Sequence, residues 1–489
     1  MSKQKTIGQN FLFNAVLNAS KFIFPLITYP YVARVLLPEG TGKVTFATSL
    51  IYYFIMFAEL GIPKYGIRKC AMVRECKEEL TRTVHELLMI QTITTVISYI
   101  VLFGCVFLIP KLAEERILYV VISVGLLFHL VGVEWLYQAL EEYRYISVRS
   151  LAFKVISVVA MFLFVKQRED YVIYGAITII ASSASYVCNF YRARRIISFR
   201  PVGNYNLKQH IKPVLVFFAM ACAVSIYSHI DTLMLGFLKG DAEVGYYNAA
   251  VKVKTIMVSL LTSLSVVLLP RASYYLTKGK QAEFEAISKK SMNFSAVFAI
   301  PFVVFFILFA DDAISFLAGP SYSAAVMPMR LIMPSLFMIA ISYPLGIQIL
   351  VPLGKEKVVL YSEIAGAAVN MVVNILLIPK FGASGAAISN VCAEITVLAV
   401  QFYSVRKDLP GLLRDIKWWK ILSATAVGVV ASMWVGNLNI GAFWQLAISA
   451  VCFFAGYGLL LVLLKETMVV EVLQTFVKKL NKKTRGRIV

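Results

Sequence analysis

Lys21 and Lys252 stand inside long apolar runs, among the chain's clearest chemical signals. A charged side chain at mid-bilayer costs about 2.5–3.5 kcal/mol on insertion scales, so such groups face protein or a wet cavity. Lys21 shares one helical stripe with Asn14, Asn18, Pro25 and Thr28. Lys252 shares another with Asn248, Thr255 and Ser259. Lys254, two positions on, points nearly the other way, with Val251, Val258 and Leu261, so Lys252 is the expected cavity-facing cation. An ammonium group is a compact point charge suited to phosphate, and neighbouring Asn, Ser and Tyr side chains suit sugar hydroxyls. The chemistry expected is non-covalent binding of an anion. Lys154 and Arg330 are further isolated cations. Asp231 lies among Ser225, Ser228, His229 and Thr232, Glu363 shares a stripe with Asn370 and Asn374, and Glu394 one with Asn390 and Gln401. These three carboxylates are candidates for ion coupling. Asp231 is equally open as the salt-bridge partner of a lysine, and Lys154, Arg330 and Glu363, nearer helix ends, as snorkelling or interhelical pairs.

Covalent chemistry finds no footing. The chain has no Walker-type glycine loop, no GxSxG and no HExxH. Its four histidines, at 85, 129, 210 and 229, form no ligand cluster along the sequence, and its seven cysteines contain no CxxC pair. No catalytic residue, metal or cofactor is expected.

The elements that must position these side chains are membrane helices. Of 489 residues, 59% are hydrophobic and 15% charged, against roughly 45–50% and about 25% in soluble domains. Apolar runs long enough to span about 30 Å of hydrocarbon recur near 9–35, 43–62, 84–109, 116–138, 147–165, 171–191, 211–236, 243–270, 291–310, 325–350, 358–378, 383–404, 418–436 and 441–464. The fold class expected is an all-α polytopic membrane protein with about fourteen transmembrane helices. The first run is too long for a signal-peptide core and reads as a spanning helix. With the N-terminus inside, cytoplasmic segments hold roughly 35 Lys and Arg and external ones roughly 8. Both termini are therefore placed in the cytoplasm of a bacterial plasma (inner) membrane. The net charge of +21 reads as topology and affinity for anionic lipids, not as a nucleic-acid footprint.

A basic, polar stretch at 192–212 separates an N-terminal bundle (1–191, helices 1–6) from a C-terminal bundle (213–405, helices 7–12), with helices 13–14 and a basic tail in 406–489. A weak internal echo supports two halves: GKVTFA opens helix 2 at Gly42, and GYYNAA opens helix 8 at Gly245.

Seven segments carry a resemblance: ARVLLPEGTG at 33–42, FAELGIPKYGIR at 57–68, EWLYQALEEYRYISVRS at 134–150, VGYYNAAVKVK at 244–254, LLPRAS at 268–273, PLGKEK at 352–357 and IPKFGASGAAIS at 378–389. In this order they resemble Wzx-type oligosaccharide (O-antigen and capsule repeat-unit) flippases of the multidrug/oligosaccharidyl-lipid/polysaccharide exporter superfamily. The resemblance implies two six-helix bundles around a central cavity, plus two C-terminal helices. It implies movement of an undecaprenyl-pyrophosphate-linked repeat unit from the inner to the outer leaflet by alternating access. It also implies that cations of helix 1 and of the second bundle face the pyrophosphate, which Lys21 and Lys252 match best. Arg34, at the external mouth of helix 1, stands open between that role and pairing with Glu39. The substrate-binding set is thus Lys21, Lys252, Asn14, Asn18, Asn248, Arg34, Lys154 and Arg330. Implied partners are a polyprenyl-pyrophosphate-linked oligosaccharide, membrane lipids, and polysaccharide polymerase and chain-length machinery. Glu134 departs from the aspartate many relatives carry before the tryptophan, and 405–489 holds no family motif, its Trp418-Trp419 pair and basic tail reading as interfacial anchors. Two rivals stay open. A drug/cation antiporter of the same fold would favour acidic and aromatic cavity groups. A membrane glycan polymerase or ligase would need a large external loop, whereas the longest one expected here is 311–324.

Overall fold

Peptide groups in hydrocarbon must be satisfied within their own segment, which favours helices. The computed structural model describes the backbone of residues 7–438 and 440–470; the side chains of 7–19, 21–23, 223–228, 264, 266 and 267 lie outside the description. No strand occurs among the described residues. The helices in chain order are α1 (Ile7–Glu59), α2 (Ile62–Val73), α3 (Lys77–Leu108), α4 (Pro110–Glu114), α5 (Arg116–Gly132), α6 (Glu134–Ala139), α7 (Tyr143–Phe164), α8 (Tyr171–Ile179), α9 (Tyr186–Ala193) and α10 (Lys208–Lys239). They continue as α11 (Asp241–Thr277), α12 (Gln281–Leu308), α13 (Ala310–Leu317), α14 (Val326–Ile332), α15 (Pro334–Tyr343), α16 (Glu356–Phe381), α17 (Ala383–Val405), α18 (Trp418–Met433) and α19 (Ala442–Leu463). Two π-helical turns, Ile180–Ala184 and Pro344–Leu350, interrupt the sequence.

Among the described residues, eleven helical stretches are long and apolar enough to cross a membrane, or up to twelve if the bent pair Pro320–Ile332 and Pro334–Leu350 is one span. Fourteen were expected. The first stretch, Phe24–Val73, holds 50 residues, about 75 Å of helix at 1.5 Å per residue, more than twice the hydrocarbon thickness. It contains a break: Leu37 has φ 58° and ψ 179°. Pro38 disfavours a helical conformation in the residue before it and starts a new helix well. The runs at 9–35 and 43–62 are therefore two helices joined at Leu37. The run near 211–236 is covered by α10.

Two compact units are present, Met1–Asn248 and Ala249–Val489, and the division falls inside α11. In the first, α1 packs on α3, α5, α7, α8 and α10, and α2 on α3, α6 and α10. Thus α10, assigned from the sequence to the C-terminal bundle, packs on helices of the N-terminal unit. Gly42 and Gly245, the two glycines of the internal echo, meet within this unit. A Cβ on Gly42 would stand 1.8 Å from the Asp241 carbonyl oxygen, and one on Gly245 would stand 2.1 Å from that of Pro38. Only bare backbone fits there.

In the second unit α16 and α17 form a tight hairpin, turning at Gly382 with φ 54°. α18 and α19 pair with each other and pack on α12 and α13. Phe305, Phe309 and Phe453 form one core there, and the Tyr457 hydroxyl donates to the Val297 carbonyl at 2.5 Å.

The polarity of α3 is inverted relative to a soluble helix. Ile93, Ile97 and Ile100, one stripe, are exposed, Ile100 by 68%. Gln91, Thr95 and Ser98 are buried. Apolar groups outward and polar groups inward is the arrangement a lipid solvent demands.

Candidate functional site

Asn14, Asn18 and Lys21 belong to α1, but their side chains lie outside the described residues. Their neighbour Ser20 is buried. Its Oγ accepts a 2.7 Å hydrogen bond from Lys154 Nζ of α7, and that ammonium also lies 5.7 Å from the Phe24 ring centroid. The fold thus brings Lys154 to the stretch of α1 that carries Lys21. Arg34 is exposed and donates to the Pro30 carbonyl at 2.6 Å, while Glu39, its suggested partner, pairs with Lys43 at 3.3 Å. Asn248 Nδ2 donates to Thr45 Oγ1 at 3.1 Å. Asp231 is buried and accepts a hydrogen bond from the Tyr247 hydroxyl at 2.5 Å.

In the second unit, Lys252 is half-buried on α11. Lys254 is more deeply buried, 9% exposed, and its Nζ donates to Asn390 Oδ1 at 2.8 Å. The two lysines differ in burial, and the side of α11 that carries Lys254, read from the sequence as apolar, meets a polar partner at this level. Asn390 and Glu394, one turn apart on α17, are both buried. Glu363 of α16 is half-buried and within electrostatic reach of Glu394. Asn374 Nδ2 donates to Asn370 Oδ1 at 3.0 Å, and Gln401 Nε2 to Ser362 Oγ at 3.0 Å. Gln348, on the second π-helical turn, is fully buried with neither amide atom partnered. The α16–α17 hairpin therefore carries a polar interior in the middle of an apolar unit. Arg330 does not join it: its guanidinium pairs with Asp311 at 2.5 Å in an exposed position.

Two groups of charges escaped notice in the sequence because their members are far apart in the chain. In one, Lys43 Nζ lies 2.9 Å from Glu115, whose other oxygen accepts from the Tyr171 hydroxyl at 2.7 Å. Close by in the same unit, Lys111 pairs with Asp241 at 3.4 Å. In the other, Arg149 is buried and holds Glu134 at 2.8 Å, and His129 pairs with Glu59 at 2.7 Å. Among the described residues, no group of three or more His, Cys, Asp or Glu side chains is arranged to hold a metal ion.

A family profile described as polysaccharide biosynthesis protein matches residues 7–276, more than half of the chain. The chain belongs to that family. A second profile, MatE, matches residues 217–376. A protein of Escherichia coli K12 named as an O-antigen transporter is 25% identical over 408 residues, covering 82% of this chain and 97% of that one. Agl15 of Haloferax volcanii, named as a low-salt glycan biosynthesis flippase, is 22% identical over 206 residues, covering 42% and 43% of the two chains. Among solved structures, the lipid II flippase MurJ in an inward closed conformation superposes with a TM-score of 0.73 at 16% identity, covering 92% of this chain and 98% of that one. An inward-facing multidrug resistance MATE family transporter gives 0.61 at 12% identity, covering 83% and 99%. The fold of this family member is thus that of MurJ and MATE transporters, and the chain is a multi-pass membrane protein.

Proposed function

We propose that this protein is a flippase that carries polyprenyl-pyrophosphate-linked oligosaccharide repeat units from the inner to the outer leaflet of the bacterial plasma membrane by alternating access. The observation that carries the reading is the placing of Lys154 on Ser20, beside Lys21, inside an apolar bundle. Cations gathered within a membrane protein suit an anionic, strongly hydrated cargo head. Lys252, half-buried on a stripe with Asn248, Thr255 and Ser259, supplies a cation from the second unit. In this reading Lys21 and Lys154 in the first unit, and Lys252 in the second, are each cations for the pyrophosphate, the asparagines and serines are for sugar hydroxyls, and the polyprenyl tail stays in lipid. Arg330 and Arg34 serve at the surface. Asp231, Glu363 and Glu394 bind the coupling ion. The names of the O-antigen transporter and of Agl15 support the cargo class. Both termini are placed in the cytoplasm, and polymerase and chain-length proteins are the expected partners outside the bilayer core.

Deleting the protein in its host tests the reading. Lipid-linked repeat units accumulating on the cytoplasmic face are the expected result. Single flipped units accumulating outside would replace the flippase with a polymerase. The MatE match over 217–376 favours a second reading, a drug/cation antiporter, which predicts unchanged lipid-linked intermediates and altered sensitivity to cationic compounds.

A further inference from the structure

Three interruptions of regular helix meet around His129. It stands in the last turn of α5, just before Val133, whose φ of 35° and ψ of 37° end the helix in a left-handed residue. Opposite it, α1 ends at Glu59, followed by Leu60 with φ 46° and Gly61 with φ 77°. Beside it runs the π-helical turn Ile180–Ala184. Such interruptions are costly in a membrane and are tolerated where protein buries the freed groups or a polar cavity receives them.

The side chains placed there are titratable. His129 Nδ1 lies 2.7 Å from Glu59 Oε1, and its Nε2 lies 3.3 Å from Ser183 Oγ. From α3, Gln91 donates to the His129 carbonyl at 3.1 Å. From α9, the Tyr186 ring meets the imidazole edge-on at 5.1 Å and stands within electrostatic reach of both Glu59 and Glu134. From α7, Arg149 holds Glu134 at 2.8 Å, bonds Asn189 and lies against the Tyr145 and Tyr186 rings. Glu134 is thus committed to a buried guanidinium that keeps its charge at any working pH. Glu59 faces an imidazole, whose two ring nitrogens can hold one proton or two. The carboxylate and the carbonyl end of α5 together make a place for positive charge.

Access separates this pair from the other histidines. Glu86 and His210 also pair at 2.7 Å, but their side chains are 2% and 0% exposed, and His210 is further held by Tyr65. His85 has both ring nitrogens engaged, by Tyr205 and the Ser198 carbonyl, and His229 stands against the rings of Tyr52 and Tyr53. Glu59 and His129 keep 25% and 23% of their side-chain surface open. Among the described residues, this is the one histidine–carboxylate pair that keeps open side-chain surface.

We propose that Glu59 and His129 form a proton-binding site of the N-terminal unit. The imidazole of neutral His129 already donates Nδ1–H to the ionised Glu59 carboxylate; one proton adds at Nε2, the new N–H bond forms on the Ser183 side, and the pair passes from net charge −1 to zero. Ser183 and the π-turn follow the imidazole, and Arg149 with Glu134 stays fixed as the frame. Only the role of this proton in driving transport rests on the flippase reading; its binding does not.

The test uses the purified full chain in liposomes on a solid-supported membrane, with the proton as the sole ligand. A pH jump from about 8 to about 6, across the imidazole range, is expected to give a transient charge displacement. Glu59→Gln and His129→Gln should each reduce it several-fold, while His85→Gln leaves it intact. Full displacement in both variants, or none in the wild type, overturns the site. Should either variant fail to fold, histidine-selective 15N NMR of the wild-type chain decides. One imidazole titrating between about pH 5 and about 8 sustains the site, and four unchanging imidazoles overturn it. No glycan enters this measurement, so its failure leaves the deletion experiment untouched, and the reverse holds.

Discussion

Lys252 and Lys254 differ by two positions on α11 and in what surrounds them. Lys254 gives its ammonium to buried Asn390, and an acceptor left without its donor costs about 1–3 kcal/mol. Lys254→Ala is therefore expected to lower the melting temperature in detergent and to leave transport per folded molecule nearly intact. Lys252→Ala should leave stability alone and impair transport far more, at equal expression. Equal transport defects per folded molecule would remove the assignment of Lys252 to the cargo. His210 makes a contrasting case. Its bond to Glu86, which also accepts from the Asn206 amide and Gln209, ties the basic stretch to α3. Breaking a buried pair from one side costs about 3–5 kcal/mol. His210→Ala should therefore destabilise strongly, and a melting curve matching the wild type would show that the pair carries no weight.

At the scale of elements, the crossing of Gly42 and Gly245 is the most exacting contact in the N-terminal unit. Gly42→Ala places a Cβ on the Asp241 carbonyl, where nothing can yield except backbone. Lowered stability and lost transport are expected from it. Gly104→Ala, in α3 with open space around it, is expected to be neutral or to stabilise by about 0.5–1 kcal/mol. A melting series over the two variants checks both. The echo of these glycines was visible in the sequence; their mutual contact was not, because repetition reports similarity and not proximity. The spans were legible for a plain reason: an apolar run of the right length has one outcome in lipid. The break at Leu37 could be read from Pro38. What spacing could not give was partners across the chain. Lys154 meets Ser20 at a separation of 134 residues, and His129 meets Glu59 at 70. Nothing in the local pattern of either residue names the other. Glu134 was noticed only as a departure from relatives, although its role is set by Arg149.

For the whole molecule, orientation is the open quantity, and the cysteines can read it. Cys76 is exposed and Cys70 is buried, both in or next to the segment 63–83 expected to face the cytoplasm. A membrane-impermeant maleimide should label Cys76 only after the cells are permeabilised, with Cys70 unreactive in both conditions. Labelling of Cys76 in intact cells would invert the topology and with it the direction assigned to transport. The same inversion would place the segments that carry most of the Lys and Arg outside, against the bias that orients membrane helices.

The inside-out stripes of α3 carry a consequence for how this chain can change. Swapping one outward isoleucine for leucine or valine leaves the lipid contact as it was, so that side can drift freely. Lengthening the helix by one residue between Gln91 and Ile93 cannot be absorbed in the same way. It would rotate everything beyond by about 100°, carrying Thr95 to the exposed place of Val96 while Ile97 takes the buried place of Ser98.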